Sequence, residues 1–284
     1  MAQIAIIGDI HEQWSEADNA YFNRSNYDLL LFVGDLTSIL SLKRTPFVAK
    51  RIGRLKKPAL MIAGNHDIHN LLQMLAEVMD NRRLAVLTGR RHAVFHERLQ
   101  RWLGPVTLGG YSSHFLQAGD VAFDVILARP CSMGGANINF APMLRDVYGV
   151  HDMDTSVERL RACVDQTRSD RIIFLAHNGP SGLGGAPDDL WGRDFGQNIG
   201  GEWGDDDLRQ AIDYACAQGK RVEVVVAGHM HLFTKHGEER PWRRWRDGVQ
   251  YINAARVPRV REAGRHHVRV VLNGVGAEVS EQFV

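Results

Sequence analysis

The sequence predicts an α/β fold built on a largely parallel sheet, and three observations carry that expectation. Residues 4–7, 29–33 and 59–62 form short, unbroken apolar runs, the pattern of strands buried on both faces. Residues 15–25 and 45–55 lie between them with helical character, giving the strand–helix–strand alternation of βαβ units. Each run leads into a glycine (Gly8, Gly34, Gly64) that is followed at once by a polar residue able to do chemistry.

The remaining elements follow in order. Residues 67–80 predict a helix, with Leu71, Leu72, Leu75, Val78 and Met79 at helical spacing as its apolar face. The middle of the chain is more β-like, with strands expected at 106–108, 121–127 and 172–176. Residues 154–168 predict a helix with Val157, Leu160 and Val164 on one face. A second helix is expected over 207–218, capped within 205–207 and stopped by Gly219. Strands over 222–227, 249–253 and 267–272 complete a second set. Residues 178–207 are dense in glycine and show no period. A loop of that length in a compact domain is usually functional or mobile. No break in composition marks a boundary, so residues 1–284 are expected to form one domain.

Bulk composition excludes several classes. With 284 residues, 44% hydrophobic and 24% charged, the chain matches the globular average. A formal net charge of +1 does not suggest a polyanion-binding protein, so nucleic acid is not the expected partner. Residues 240–269 are locally arginine-rich and read as a solvated face. Cys131, Cys163 and Cys216 are odd in number and widely spaced, which fits a reducing compartment better than a disulfide framework. The apolar run after Met1-Ala2-Gln3 is too short for a secretory leader. No stretch approaches the roughly 20 residues of a membrane span. The expectation is a cytoplasmic protein with no membrane partner; composition is silent on oligomeric state.

Five strand ends each deliver chemistry-bearing side chains: Gly8-Asp9-Ile10-His11, Gly34-Asp35, Gly64-Asn65-His66-Asp67, His177-Asn178 and Gly228-His229-Met230-His231. Ligands of open α/β sheets bind at the carboxyl ends of strands, so these groups are expected to converge although they span most of the chain. Mixed imidazole and oxygen donors suit borderline or hard divalent ions such as Zn, Fe or Mn. In Asp9-x-His11 and His229-x-His231 the two side chains of extended chain point alike. His69, His92, His96, His114, His151, His236, His266 and His267 match no motif and read as surface or structural residues.

These motifs resemble the calcineurin-like metallophosphoesterases, which carry GDxH, GD, GNH(D/E), a lone His and GHxH in this order. The corresponding segments here are GDIH, GDL, GNHD, AHN and GHMH. The resemblance covers Ile4 to about Asn253. It implies a four-layer αββα sandwich, two mixed β-sheets flanked by helices. It also implies two divalent ions, Mn, Fe or Zn. Asp9, His11, Asp35 and His231 would hold the first, and Asp35, Asn65, His177 and His229 the second, with Asp35 as bridge. The implied reaction is hydrolysis of a phosphate mono- or diester of a small molecule by a metal-bound hydroxide. His66 would assist the leaving group, with Asp67 orienting its ring.

Departures from the family narrow the branch. Glu12 follows His11 where Ser/Thr protein phosphatases have glycine. Leu36-Thr37-Ser38 lacks the Asp-Arg-Gly that follows in that branch, and GNHD replaces GNHE. Residues 177–184 with 201–205 resemble instead a branch found in cyanobacteria and plastid-bearing lineages. The glycine-rich loop after His177 is expected to face substrate, with Trp191, Arg193, Asp194 and Trp203 as candidate contacts. The competing readings are a Mn-dependent nuclease and a catalytically silent scaffold on the same fold; the complete ligand set speaks against the latter.

Overall fold

The computed structural model describes residues 1–67, 71–79, 81–89, 92–196 and 199–284, without the side chains of Arg82 and His92. The first half of the chain runs β1 (Ala2–Ile7), α1 (Glu16–Arg24), β2 (Leu29–Phe32), a 3-10 segment (Ile39–Arg44), α2 (Thr45–Ile52) and β3 (Ala59–Ile62). Then come α3 (Leu71–Val78), α4 (Arg82–Thr88), α5 (His92–Leu103), β4 (Thr107–Gly109), β5 (Ser112–Ala118) and β6 (Val121–Leu127). The second half runs α6 (Ala141–Met143), α7 (Met153–Asp165), β7 (Arg171–Leu175), α8 (Asp206–Ala217) and β8 (Arg221–Ala227). It ends with β9 (Arg243–Arg246), β10 (Val249–Asn253), β11 (Val260–Arg261), β12 (Gly264–Leu272) and β13 (Ala277–Phe283).

Two mixed sheets result. The first has the order β11-β12-β1-β2-β3-β4, with β13 also paired to β12; β1 to β4 are mutually parallel and β12 is antiparallel to β1. The second has the order β5-β6-β7-β8-β10-β9, parallel from β6 to β10 and antiparallel at both edges. Period-two alternation splits each central strand between two cores. Ile4, Ile6, Leu29, Leu31, Val125, Ile173, Val224 and Val226 share the core between the sheets. Ala5, Ile7, Leu30 and Phe32 face outward under α1, α2 and α5. Ile126, Ile172, Phe174 and Val225 face the other way, under α7 and α8. The layers are therefore helix, sheet, sheet, helix, as the resemblance implies.

Local chemistry explains the helix starts. Ser15 caps α1 and Asp152 caps α7, each in a reciprocal capping box with the residue three positions on. Asp205 stands at the cap position of α8, and Gly219, at φ +74°, follows that helix.

Two expectations are corrected. Within the helix expected over 67–80, residues 68–70 (with His69) and Asp80 lie outside the described residues. In the described part, α3, the face is reversed. Gln73, Met74 and Ala76 are buried, while Leu71, Leu72, Leu75, Val78 and Met79 are exposed. Burying Gln73 is possible because its amide has partners: it donates to Glu77 at 2.7 Å and accepts from Thr88 at 2.6 Å. Residues 240–269 are not a simple solvated face either. Arg240 and Arg259 are buried because carboxylates distant in sequence, Asp194 and Asp18, meet them. The histidines without motifs include His266, bonded to Glu281 at 3.0 Å, and His267, bonded to the Tyr27 hydroxyl at 2.8 Å; both are buried.

Candidate dinuclear metal centre

The carboxyl ends of β1, β2 and β3 in one sheet meet those of β7 and β8 in the other. Backbone bonds lash the turns together. The Ile10 and His11 N–H groups donate to the Asp35 carbonyl at 3.0 and 2.9 Å, and Gly228 N–H donates to the His177 carbonyl at 2.8 Å. His11, Asp35 and His229 all have left-handed backbone, with φ of 39°, 49° and 64°. Non-glycine residues hold such conformations only where the surroundings over-determine them, and they cluster at functional sites. Two glycines are required by close approach. A Cβ on Gly64 would stand 2.2 Å from Asp35 Oδ1, and one on Gly228 would stand 2.2 Å from Asp9 Oδ1.

Two donor sets lie side by side. Asp9, His11 and His231 offer atoms within 4.8 Å of one another, and so do Asp35, His177 and His229. In the first set His231 Nε2 is 3.1 Å from His11 Nε2 and 3.5 Å from Asp9 Oδ2. In the second, Asn65 Oδ1 lies 2.8 Å from His177 Nε2 and 3.0 Å from His229 Nδ1. Asp35 faces both sets. Its Oδ2 is 4.0 Å from His11 Nε2, and its Oδ1 is 3.6 Å from His177 Nε2. Asp9, Asp35, Asn65 and His177 are buried as a floor, while His11, His66, His229 and His231 are half-buried at the mouth.

Protonation tests whether this set suits cations. The His177 Nδ1–H donates to the Val33 carbonyl at 2.7 Å, so a neutral ring presents a bare Nε2 to the oxygens of Asn65 and Asp35. Lone pairs then face lone pairs, an arrangement that calls for a positive charge, either a proton or a metal ion. Burial alone would raise the Asp35 carboxyl, but His66, His177, His11 and His229 outweigh it and hold Asp35 well below the usual carboxylate range. Burial, then the nearby His177, pushes His229 down to about 3, which keeps it neutral and able to ligate. The donors are imidazole and oxygen, the set that borderline divalent ions prefer.

His66 lies at the mouth with Nε2 3.9 Å from Asp35 Oδ2, and its backbone N–H donates to Asp35 Oδ1 at 3.0 Å. Asp67 is placed differently from a ring-orienting residue. Its carboxylate accepts backbone N–H groups from Asp35 (2.9 Å), Leu36 (2.8 Å) and Gly64 (2.8 Å), fastening the β2 turn to the β3 turn.

The four candidate substrate contacts divide. Trp191 is fully buried in the core beneath α7 and α8, and presents no surface to a ligand. Asp194 is buried too; it accepts from Lys235 N–H at 3.0 Å and pairs with Arg240 at 3.2 Å. Arg193 and Trp203 are half-buried, with the guanidinium 4.9 Å from the indole centroid. Trp203 Nε1 donates to the Met133 carbonyl at 2.7 Å. Sequence reading did not single out two arginines that shape this region. Arg240 Nε donates to the His231 carbonyl at 3.1 Å and its Nη1 to the Asp189 carbonyl at 2.6 Å, tying the glycine-rich loop to the last donor turn. Arg129 reaches Asp205 and Asp207 at 2.9 Å each and anchors the far end of that loop. No local motif marks either residue, since their partners are far away in sequence.

The sequence model of the calcineurin-like phosphoesterases matches residues 2–233. No curated protein gives a significant match. Among solved structures, TT1561 of Thermus thermophilus aligns with a TM-score of 0.56 at 9% identity, over 98% of this chain and 98% of that one. The sulfate thiohydrolase SoxB of Thermus thermophilus aligns at 0.50 with 17% identity, over 94% of this chain but 41% of its own. The NAD nucleotidase of Haemophilus influenzae aligns at 0.50 with 12% identity, over 98% of this chain and 49% of its own. At these identities the likeness is one of fold.

Proposed function

The chain belongs to the calcineurin-like phosphoesterases and is a metal-dependent phosphoric ester hydrolase, and from that premise we propose that it works with two divalent ions on a phosphate mono- or diester of a small molecule. The observation that carries this reading is the pair of donor sets meeting at one carboxylate, Asp35. Asp9, His11, Asp35 and His231 would hold one ion, and Asp35, Asn65, His177 and His229 the other; Mn, Fe and Zn all suit the donors. When bound, such a pair lowers the pKa of water and neutralises charge on the phosphoryl oxygens.

The chain's own residues do the rest. His66 stands at the mouth with its imidazole 3.9 Å from Asp35 and is the group placed to give a proton to the leaving oxygen. Asp67 keeps the Asp35 and Asn65 turns in register through its three N–H bonds. Arg193 and Trp203 remain the candidates for contacting substrate from the loop, with Trp191 and Asp194 supporting them from behind. We read the chain as one domain, because β12 and β13 complete the sheet that β1 begins. We place it in the cytoplasm on the strength of its three free cysteines.

The test is metal analysis of the purified protein followed by parallel assays on aryl phosphate monoester and diester substrates. Activity should vanish on chelation and return with one of the three metals. Asp35→Asn should lower it roughly a hundred- to a thousandfold. Full activity in the stripped protein would overturn the reading.

A further inference from the structure

The turn that carries His229 and His231 is gripped by its carbonyls. Asn253 Nδ2 donates to the Met230 carbonyl at 2.7 Å, and Arg240 Nε donates to the His231 carbonyl at 3.1 Å. Both side chains are buried, and both also reach the glycine-rich loop. Asn253 Nδ2 donates to the Leu190 carbonyl at 3.2 Å. Arg240 Nη1 donates to the Asp189 carbonyl at 2.6 Å, and its Nη2 lies 3.2 Å from Asp194 Oδ1. Asp194 in turn accepts the Lys235 N–H at 3.0 Å, from the chain that runs on from His231.

A guanidinium suits such a junction. Its donors diverge in one plane from a rigid fork, so acceptors from separate segments are held at fixed mutual distances. A lysine ammonium is a point charge on a flexible stem and cannot fix them in this way. The Arg240 side chain is 0% exposed. Displacing either end of the junction therefore leaves a buried polar group unpaired, which costs more than the bond itself contributes. A shift of the loop at Asp189 or Asp194 is felt at the His231 backbone, and a shift of His231 is felt in the loop. His177, in the other donor set, is oriented instead by the Val33 carbonyl at 2.7 Å.

We propose that Arg240 is a positioning residue that couples order in the glycine-rich loop to ion binding at Asp9, His11 and His231. The inference rests on the two-ion reading above. Groups that fix a ligand without touching the metal govern its affinity by roughly ten- to a hundredfold. The linkage is reciprocal: an ion that fixes His231 also fixes the loop, and a loosened loop weakens that ion by the same factor.

The test measures Mn and Zn binding to the metal-stripped full chain by equilibrium dialysis, and amide hydrogen exchange of the loop with and without the ion. The variants are Arg240→Lys, which keeps the charge and loses the fork, and Asp194→Asn, which alters only the loop side. Wild type should take up two ions. Each variant should hold one of them about tenfold more weakly and the other as before. Adding the ion should slow exchange over residues 185–196 about tenfold in wild type and leave it unchanged in Arg240→Lys. Wild-type affinities in both variants overturn the proposal. Equal weakening of both ions overturns it too, as does loop exchange that answers the ion in Arg240→Lys as it does in wild type, since either marks a merely structural contact. A single ion in wild type refutes the two-ion reading and leaves the exchange response to decide the coupling alone. Wild type that binds neither metal overturns both.

Discussion

The two residues after Asn65 have separate tasks although they are adjacent. Asp67 is buried, and its oxygens are engaged with backbone N–H groups, so it fixes where the donors stand. His66 is half-buried, with Nε2 3.9 Å from Asp35 Oδ2, and is proposed as the proton donor. A proton donor matters only when the leaving oxygen is basic. His66→Gln should therefore slow hydrolysis of alkyl phosphates by about a hundredfold or more, and slow p-nitrophenyl phosphate far less, with metal content unchanged. Equal losses on both substrates would remove the proton-donor role and leave His66 as a positioning residue.

Among elements, the far end of the glycine-rich loop is anchored by one buried cation. Arg129 neutralises Asp205 and Asp207, while Ser132 and Ser156 donate to them at 2.6 and 2.5 Å. Burial pushes Asp205 up to about 6, against the pull of Arg129. Arg129→Ala leaves two carboxylates stranded and should cost about 3–5 kcal/mol in urea unfolding; a change within experimental error would show that the loop is held by other contacts. The inner parallel strands were legible in the sequence to within a residue or two, because burial on both faces writes an uninterrupted apolar run; antiparallel β12 begins three residues earlier than read. The strands that sequence reading passed over, β5, β9, β11 and β13, lie at sheet edges. There one face meets water, and segments such as Arg243–Arg246 carry no apolar signature. Helices α4 and α5 were passed over too; in α5, Arg98 and Arg101 interrupt the apolar positions. Helix α3 shows a different limit: period reveals that a helix has an apolar face and says nothing of what covers it. At the centre, the donor motifs were legible because each follows a buried strand, whereas Arg129 and Arg240 act through partners that no local pattern connects.

For the molecule as a whole, acid sensitivity should have a contribution distant from the metals. Burial, reinforced by His266 and Arg259, pushes His267 down from 6.5 to about 3. The unfolded chain therefore takes up this proton first as pH falls. The stability that comes from keeping the ring neutral is complete above pH 6.5 and drains away between 6.5 and about 3. The slope from this one ring reaches about 1.4 kcal/mol per pH unit. His267→Gln should flatten the pH dependence of urea unfolding by up to that amount; an unaltered slope would sink the assignment.

The seam between the sheets has a consequence for biosynthesis. Asp9, His11, Asp35 and Asn65 leave the ribosome early, but each donor set also needs histidines from the second sheet: His231 for one, His177 and His229 for the other. A nascent chain therefore presents no finished ion trap until residue 229 has emerged, and the other set waits for residue 231. Strand β1 receives its neighbour β12 (Gly264–Leu272) only after every donor of both sets has been made. Loading of the centre is thus deferred to the moment the two halves close, and any ion bound across them acts as a rivet on the completed fold.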